Sequence, residues 1–493
     1  MTRSTTRTHY QVTFAVLAVG VGAFALLQSL VMPALPTIRD ALDTSQTDVT
    51  WVLTAYLLSA SIFTPIMGRL GDMTGKKRMF VIALIALALG SLLAALAPSL
   101  SIMIIARVIQ GVGGGVLPLA FGIIRDEFPA VKVGGAVGLI AALSAMGAGV
   151  GIVLAGPIVS ALSYHWLFWF PLIVVSVAAV AAHFLVPESE EKAPGRINWG
   201  AALLMSGWLV ALLVAVSRAP SWGWGSAPVF GLLIAAVVIG VAWVLVERRS
   251  ANPLIDMKMM TIRSVWATNL VALFFGVAMY AMLGFLPVFL QTPANAGYGF
   301  GATVTQSGVM LLPNAVLMFL VGLVAGRLAQ RFGSKLVLII GTVVSFVGLL
   351  MLALAHTEAW EIYVATGLTG IGFGLAFSSM SNIIVNAVPR EQTGVASGMN
   401  ANIRTIGGSL GAAIMASIVA AGADSAGLPA ESGYTNGFLV LAGVMLLAGI
   451  LGLLIPRIKP HVVGSHSEEP AVPLRHGEMA MVAGGTVVGD ESE

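Results

Sequence analysis

Fourteen runs of predominantly apolar residues, most of them about 20 long or longer, limit what this chain can fold into. They lie at 12–34, 49–68, 79–97, 101–124, 134–157, 166–187, 198–217, 227–246, 265–290, 303–325, 336–355, 360–384, 398–421 and 436–456. A run of that length crosses the hydrocarbon core as a helix, because a helix satisfies its own backbone where water cannot. An all-α polytopic membrane protein with fourteen spans is therefore expected. Only 10% of the residues are charged, against about 25% in soluble domains, which is too few to coat a water-facing surface. The segment 1–9 leads into the first run without a small-residue cleavage site, so that run reads as a retained span, a cleaved signal peptide being the alternative.

Charge placement orients the chain. If the N-terminus is cytoplasmic, only Arg39 and Arg218 of the 25 lysines and arginines fall in outer loops, and Arg107 and Arg404 fall inside spans. All the others, among them Arg69, Lys76, Lys77 and Arg78, then lie on the cytoplasmic side, as the positive-inside rule demands. Fourteen crossings put both termini on that side. The net charge of +3 is small and spread over short loops, so no basic face for nucleic acid is expected. With no cysteine there is no disulfide or thiolate metal site, and no metal or cofactor is expected. The chain has no H-E-x-x-H and no Walker loop, which argues against a membrane-embedded enzyme and against ATP-driven transport by this chain alone. No selectivity-filter-like or charge-ring sequence points to a channel.

An internal repeat divides the spans. G-R-L-G-D-M-T-G-K-K at 68–77 returns as G-R-L-A-Q-R-F-G-S-K at 326–335, an offset of 258. Gly111, Gly113 and Gly115 return as Gly370, Gly372 and Gly374, and Gly134, Gly138, Gly147 and Gly151 as Gly394, Gly398, Gly407 and Gly411, at offsets of 259 and 260. The expected organisation is a cytoplasmic segment 1–11, a six-helix unit 12–187, two inserted spans 188–264, a second six-helix unit 265–456, and a disordered polar tail 457–493. Two parallel six-span halves place a substrate site at their interface near the midplane and permit rocking access.

Several stretches carry chemistry. In 68–78, Gly68, Gly71 and Gly75 permit close helix approach and a tight reversal among the cations Arg69, Lys76, Lys77 and Arg78. Asp72 is then free to meet a cation or a helix N-terminus in one transport state only, the alternative being a purely topogenic basic loop. Arg107, followed by Gln110 and Gly111, stands inside span 4, where an arginine costs at least about 2.5 kcal/mol unless it pairs, faces a cavity or snorkels outward. Gly147 and Gly151, followed by Gly156 and Pro157, give span 5 a face for another helix and a bend at its outer end. Arg404, one turn beyond Asn400 in span 13, either lines an inner cavity or snorkels. Ser378, Asn382 and Asn386 form a polar stripe on span 12, for cavity lining or helix–helix hydrogen bonding.

Together these segments resemble the major facilitator superfamily, specifically its fourteen-span drug:proton antiporter branch. The resemblance covers spans 1–14, is poorest in spans 7 and 8 and does not reach the tail. It implies that 68–78 is the signature loop between spans 2 and 3, and that Arg107 is implicated in proton coupling. It further implies that Gly147, Gly151, Gly156 and Pro157 form the motif associated with antiporters. A departure lies in span 1, where Leu27 and Gln28 stand in place of the family's usual acid, and no carboxylate lies deep in any span. Recognition of cations by charge is then in doubt. A hydrophobic or amphiphilic substrate held by Phe24, Gln28, Met32, Tyr56, Phe121, Tyr280, Phe377, Asn382 and Asn400 is expected instead. The expected protein is a monomeric, multi-pass transporter of the cell membrane that exports small molecules in exchange for protons. A lipid or fatty-acyl carrier, or an uncoupled facilitator of the same fold, is the alternative.

Overall fold

The computed structural model of the chain describes residues 10–44, 46–49, 51–189, 197–251, 253–293, 297–421 and 429–456; the expected tail at 457–493 and nearly all of the segment 1–11 lie outside them. Fourteen helices are long and apolar enough to cross a membrane. In chain order, spans 1–7 are Tyr10–Leu30, Trp51–Thr74, Lys76–Ala95, Leu100–Glu127, Ala130–Ala161, Trp166–Leu185 and Trp199–Trp222. Spans 8–14 are Ala227–Arg249, Arg263–Gln291, Val304–Phe332, Ser334–Leu354, Ala359–Ala387, Arg390–Ala420 and Glu431–Gly452. No strand occurs among the described residues.

Each helix matches one apolar run to within several residues, and polar caps close the starts of two of them. Thr303 and Gln306 form a capping box at the start of span 10, and Glu358 and Glu361 do so at span 12. Span 5 runs 32 residues and continues through Pro157 to Ala161, longer than the apolar run at 134–157. Span 4 tightens to a 3-10 turn at Val112–Gly115. There Gly113 packs under Leu87 of span 3, and Gly114 and Gly115 pack under Thr64 and Met67 of span 2.

The repeat seen in the sequence recurs as a repeat of contacts. Span 1 packs on spans 5 and 6, and span 9 packs on spans 13 and 14. The pairs 2–4, 3–4 and 3–6 recur as 10–12, 11–12 and 11–14. Two seams, span 2 on span 13 and span 10 on span 5, join the repeats. These seams are themselves images of each other. Gly68 of span 2 meets Gly394 of span 13, where a Cβ would stand 2.5 Å from the Gly394 carbonyl oxygen. Gly326 of span 10 meets Gly135 of span 5, where a Cβ would stand 2.6 Å from the Gly135 Cα.

The inserted pair is not a separate body. Span 7 lies along spans 2 and 13, and its Ala201, Met205 and Leu209 share an apolar cluster with Ile66, Val395, Met399 and Ile406. Span 8 packs on span 7 and turns Phe230, Ile234, Val237, Val238 and Val241 outward, as a lipid-facing helix does.

The seam of spans 5 and 10 yields a direct test. Gly326→Leu forces a side chain into backbone, and overpacking of this kind costs about 1–3 kcal/mol. The variant is expected to unfold several degrees below the parent in a detergent melt; an unchanged midpoint would show that the seam yields freely.

Candidate transport site and gate

The loop between spans 2 and 3 reverses at Gly75, whose φ of 123° lies where an L side chain is strained. That reversal brings Lys76 back beneath the last turns of span 2. Asp72, fully buried, accepts hydrogen bonds from the backbone N–H groups of Gly394 (3.2 Å) and Val395 (3.0 Å). These are first-turn amides of span 13, which a helix leaves unpaired and carrying partial positive charge. Lys76, also fully buried, donates to both oxygens of Asp126 at 2.8 and 3.0 Å and to the Arg390 carbonyl at 3.2 Å, and stands 3.8 Å from Asp72. Arg125 donates to the Pro389 carbonyl and to Thr393 Oγ1. Spans 2, 3 and 4 thus grip the start of span 13 through charge-assisted hydrogen bonds, each worth about 1.5–3 kcal/mol. Asp72 meets the helix N-terminus and the cation together, the two partners anticipated for it. Lys77 and Arg78 lie outside this knot, half-buried and exposed respectively.

The second copy of the loop lacks this charge. Gln330 stands where the first copy has Asp72, and its side-chain amide donates to the Val131 carbonyl at 2.9 Å on an exposed surface. The buried carboxylate at a seam belongs to the first copy of the loop, and the second copy has a neutral amide there.

Sequence reasoning passed over Glu247. It ends span 8, is 2% exposed, and accepts from Trp243 Nε1 and from the backbone N–H groups of Leu254 and Ile255. Arg69 of the signature loop acts on it electrostatically. Its place beside the apolar run 227–246 made it look like a loop acid. The indole of Trp243 four residues earlier, at helical spacing, was the signal available. His356 was likewise missed; its Nε2 lies 3.0 Å from Glu431 Oε1 and its Nδ1 2.8 Å from the Leu352 carbonyl. The acids Glu358 and Glu361 close the helix cap at the start of span 12.

Arg107 does not snorkel. It is fully buried, donates through Nε to the Val52 carbonyl at 2.9 Å and through Nη1 to Gln110 Oε1 at 2.7 Å, and stacks 4.3 Å from the centre of the Tyr56 ring. Gln110 passes the chain on to Ser91 Oγ at 3.0 Å. The repeat explains part of this. Thr366, the counterpart of Arg107, donates to the carbonyl of Met310, the counterpart of Val52. Thr369, the counterpart of Gln110, accepts from Asn314, the counterpart of Tyr56. A donor at this position is part of the fold, whereas a permanent cation is peculiar to the first half. Its Nη2 has no partner.

The expected cavity residues do not gather round one chamber. Phe121, Asn400 and Arg404 line a void of about 10 Å3 with Leu117, Pro118, Ser381, Ile384, Ser397 and Ala401, at the limit of what a single water needs. Phe377 lies under the Arg404 guanidinium at 4.3 Å, and Tyr280 is in contact with the same group. Tyr56 is taken up by Arg107. Asn382 faces Gly134 and Gly138 of span 5, and Ser378 donates to the Gly138 carbonyl, so the stripe on span 12 serves a helix seam. Phe24 is buried and Gln28 half-buried on span 1, while Met32 is exposed beside Gly284 of span 9. The void lies at the meeting of spans 4, 12 and 13.

The span-5 glycines do pack helices. Gly147 approaches Gly22 and Ala25 of span 1, and Gly151 approaches Leu26 and Ser29, whose hydroxyl donates to the Gly147 carbonyl. Gly156 faces the other way, onto Thr305 of span 10. Among the described residues, no group of three His, Cys, Asp or Glu side chains is placed to hold a metal.

Two repeated six-helix patterns joined at paired seams are an arrangement that many membrane transporter folds share. A family model described as the Major Facilitator Superfamily matches residues 17–412, and again 293–486, and the chain belongs to that superfamily. It is 28% identical to multidrug resistance protein 3 of Bacillus subtilis (strain 168), over 75% of this chain and 72% of that protein. It is 28% identical to the tetracenomycin C resistance and export protein of Streptomyces glaucescens, over 83% of this chain and 76% of that one. With multidrug resistance protein Stp of Mycobacterium tuberculosis (strain ATCC 25618 / H37Rv) it shares 29% identity over 82% of this chain and 75% of that protein. The crystal structure of the human organic anion transporter MFSD10 (TETRAN) has the same fold, with a TM-score of 0.65, 16% identity, and coverage of 90% of this chain and 99% of that one.

Asp72→Asn keeps the shape but replaces one charged acceptor and sets an amide N–H₂ against the helix N-terminus. It is expected to lower turnover about tenfold, roughly the loss of one charge-assisted bond, while substrate affinity stays within about twofold. Transport rate and equilibrium binding on the same preparation check this; wild-type turnover would show the loop to be merely topogenic.

Proposed function

We propose that the protein exports hydrophobic or amphiphilic small molecules, drugs and antibiotics among them, across the cell membrane in exchange for protons. It works as a monomer by alternating access. The observation that carries this reading is the buried bond of Asp72 to the first turn of span 13. It is a two-sided contact between repeats that must be made when this end is closed and broken when it opens. The relatives named for multidrug resistance and for tetracenomycin C export support drug-like cargo. The positive-inside bias supports a cytoplasmic position for this gate and for both termini.

In the cycle proposed, the grip of Asp72, Lys76 and Arg125 on span 13 holds the cytoplasmic end shut while substrate leaves outward. Releasing it lets spans 2 and 13 part and exposes the void beside Phe121 and Arg404 to substrate from inside. Protons moving down their gradient drive the return. The coupling candidates are Arg107 with Gln110, whose unpaired guanidinium N–H lies in the sealed core of the first repeat, and Arg404.

Purified protein in liposomes with an imposed pH gradient tests the coupling. Adding a hydrophobic substrate is expected to discharge the gradient in proportion to substrate moved. Substrate flux without proton flux would leave an uncoupled facilitator or a lipid carrier of the same fold.

A further inference from the structure

Arg404 sits in the membrane interior without a protein counter-ion. It is 7% exposed, its Nε has no hydrogen-bond partner, and no salt bridge joins it to a carboxylate among the described residues. The acids that end the spans are engaged elsewhere. Asp72 is held by Gly394 and Val395, Asp126 by Lys76, Glu247 by Leu254 and Ile255, and Glu431 by His356. A cation at such depth that meets aromatic rings and a tyrosine hydroxyl but no carboxylate is costly, and an intramembrane ionisable group commonly marks a substrate path.

The repeat shows that the fold does not require this cation. The counterparts of Asn400 and Arg404 in span 5 are Ile140 and Ser144, at the offset of 260 that relates the span-5 and span-13 glycines. The polar wall is therefore confined to the second half. Around the void it consists of Ser381, Ser397, Asn400 and Arg404, and Ser397 Oγ, 6% exposed as a residue, is also without a partner. Leu117, Pro118, Phe121 and Ile384 form the apolar remainder. The Phe377 ring lies 4.3 Å beneath the guanidinium and the Tyr280 side chain hydrogen-bonds to it, so two aromatic residues hold it in place while its Nε stays without a partner. Asn400 is itself steadied by its donation to Asn269 Oδ1 at 2.9 Å.

We infer that this site selects amphiphiles whose polar end is an oxygen anion, a carboxylate or phenolate, and that Arg404 is the residue that binds that end. The apolar part of the molecule rests on Phe121, Leu117 and Ile384 while the guanidinium, with Ser397 beside it, receives the oxygens. A guanidinium matches a planar carboxylate with two parallel hydrogen bonds. The same group repels ammonium and amidinium compounds, and no carboxylate is among the residues that line the void. This assignment rests on the efflux reading above and narrows its cargo.

Liposomes containing the full chain test it with three probes on one aromatic core: a carboxylate, its methyl ester and an ammonium analogue. The wild type is expected to show a KM for the carboxylate at least about tenfold below that for the ammonium probe. In Arg404→Met the carboxylate-to-ester ratio of KM values collapses toward one whatever the absolute rate, and Arg404→Lys restores part of it. Ammonium transport equal to or better than carboxylate transport by the wild type would overturn the assignment without any variant. So would an unchanged ratio in Arg404→Met. Either result, with probes still moving, leaves the export reading standing, whereas a wild type that moves none of the three overturns that reading as well.

Discussion

A buried carboxylate bonded to the exposed amides of a helix N-terminus is the constraint on which the closed form of this transporter depends. Asp72 lies at the junction of two repeats, and without it the first-turn amides of span 13 would be buried unpaired. Burying a charge is costly unless it is paired and hydrogen-bonded. Here two N–H donors of span 13 and its helix dipole meet one carboxylate from span 2, with a lysine from span 3 beside it. Its parts come from three helices, so it depends on all three staying together.

Close backbone approach makes the contact possible. Gly68 lies on Gly394 and Gly326 on Gly135, so the two seams cross at positions the repeat relates. Symmetry of packing is joined to asymmetry of charge. The first seam is closed by Asp72 and Lys76, the second by a neutral, exposed Gln330. Inside the membrane the same division appears in Arg107 against Thr366, and in Arg404 against Ser144. The scaffold is duplicated, and each half keeps the polar groups that only its own task requires. Span 7 then covers the first seam on one side, so the inserted pair is packed into the same apolar cluster as spans 2 and 13.

The fourteen helices, the repeat and the signature loop were all legible in the sequence, because bilayer length and glycine spacing are local signals. The environment of single side chains was less so. Arg107 could be read as snorkelling, since nothing local announces that the Val52 carbonyl and Tyr56 ring from another helix will receive it. Glu247 looked like a loop acid because its two amide donors follow it in an irregular stretch. The expected cavity residues were chosen by type and depth, and the closed form divides them among a void, a seam and an arginine clamp. Which aromatic faces the pathway is decided by helix rotation, which neither composition nor periodicity encodes in a span that is apolar all round.

The central claim is that the ends of spans 2 and 13 joined by Asp72 separate during transport. The chain has no cysteine, so a pair of spin labels on Thr74→Cys and Glu391→Cys reports the distance across the gate without background. At rest a single short distance is expected, and under turnover a second, longer population should appear and grow in Asp72→Asn. One unchanged distance while substrate is being moved would contradict the account.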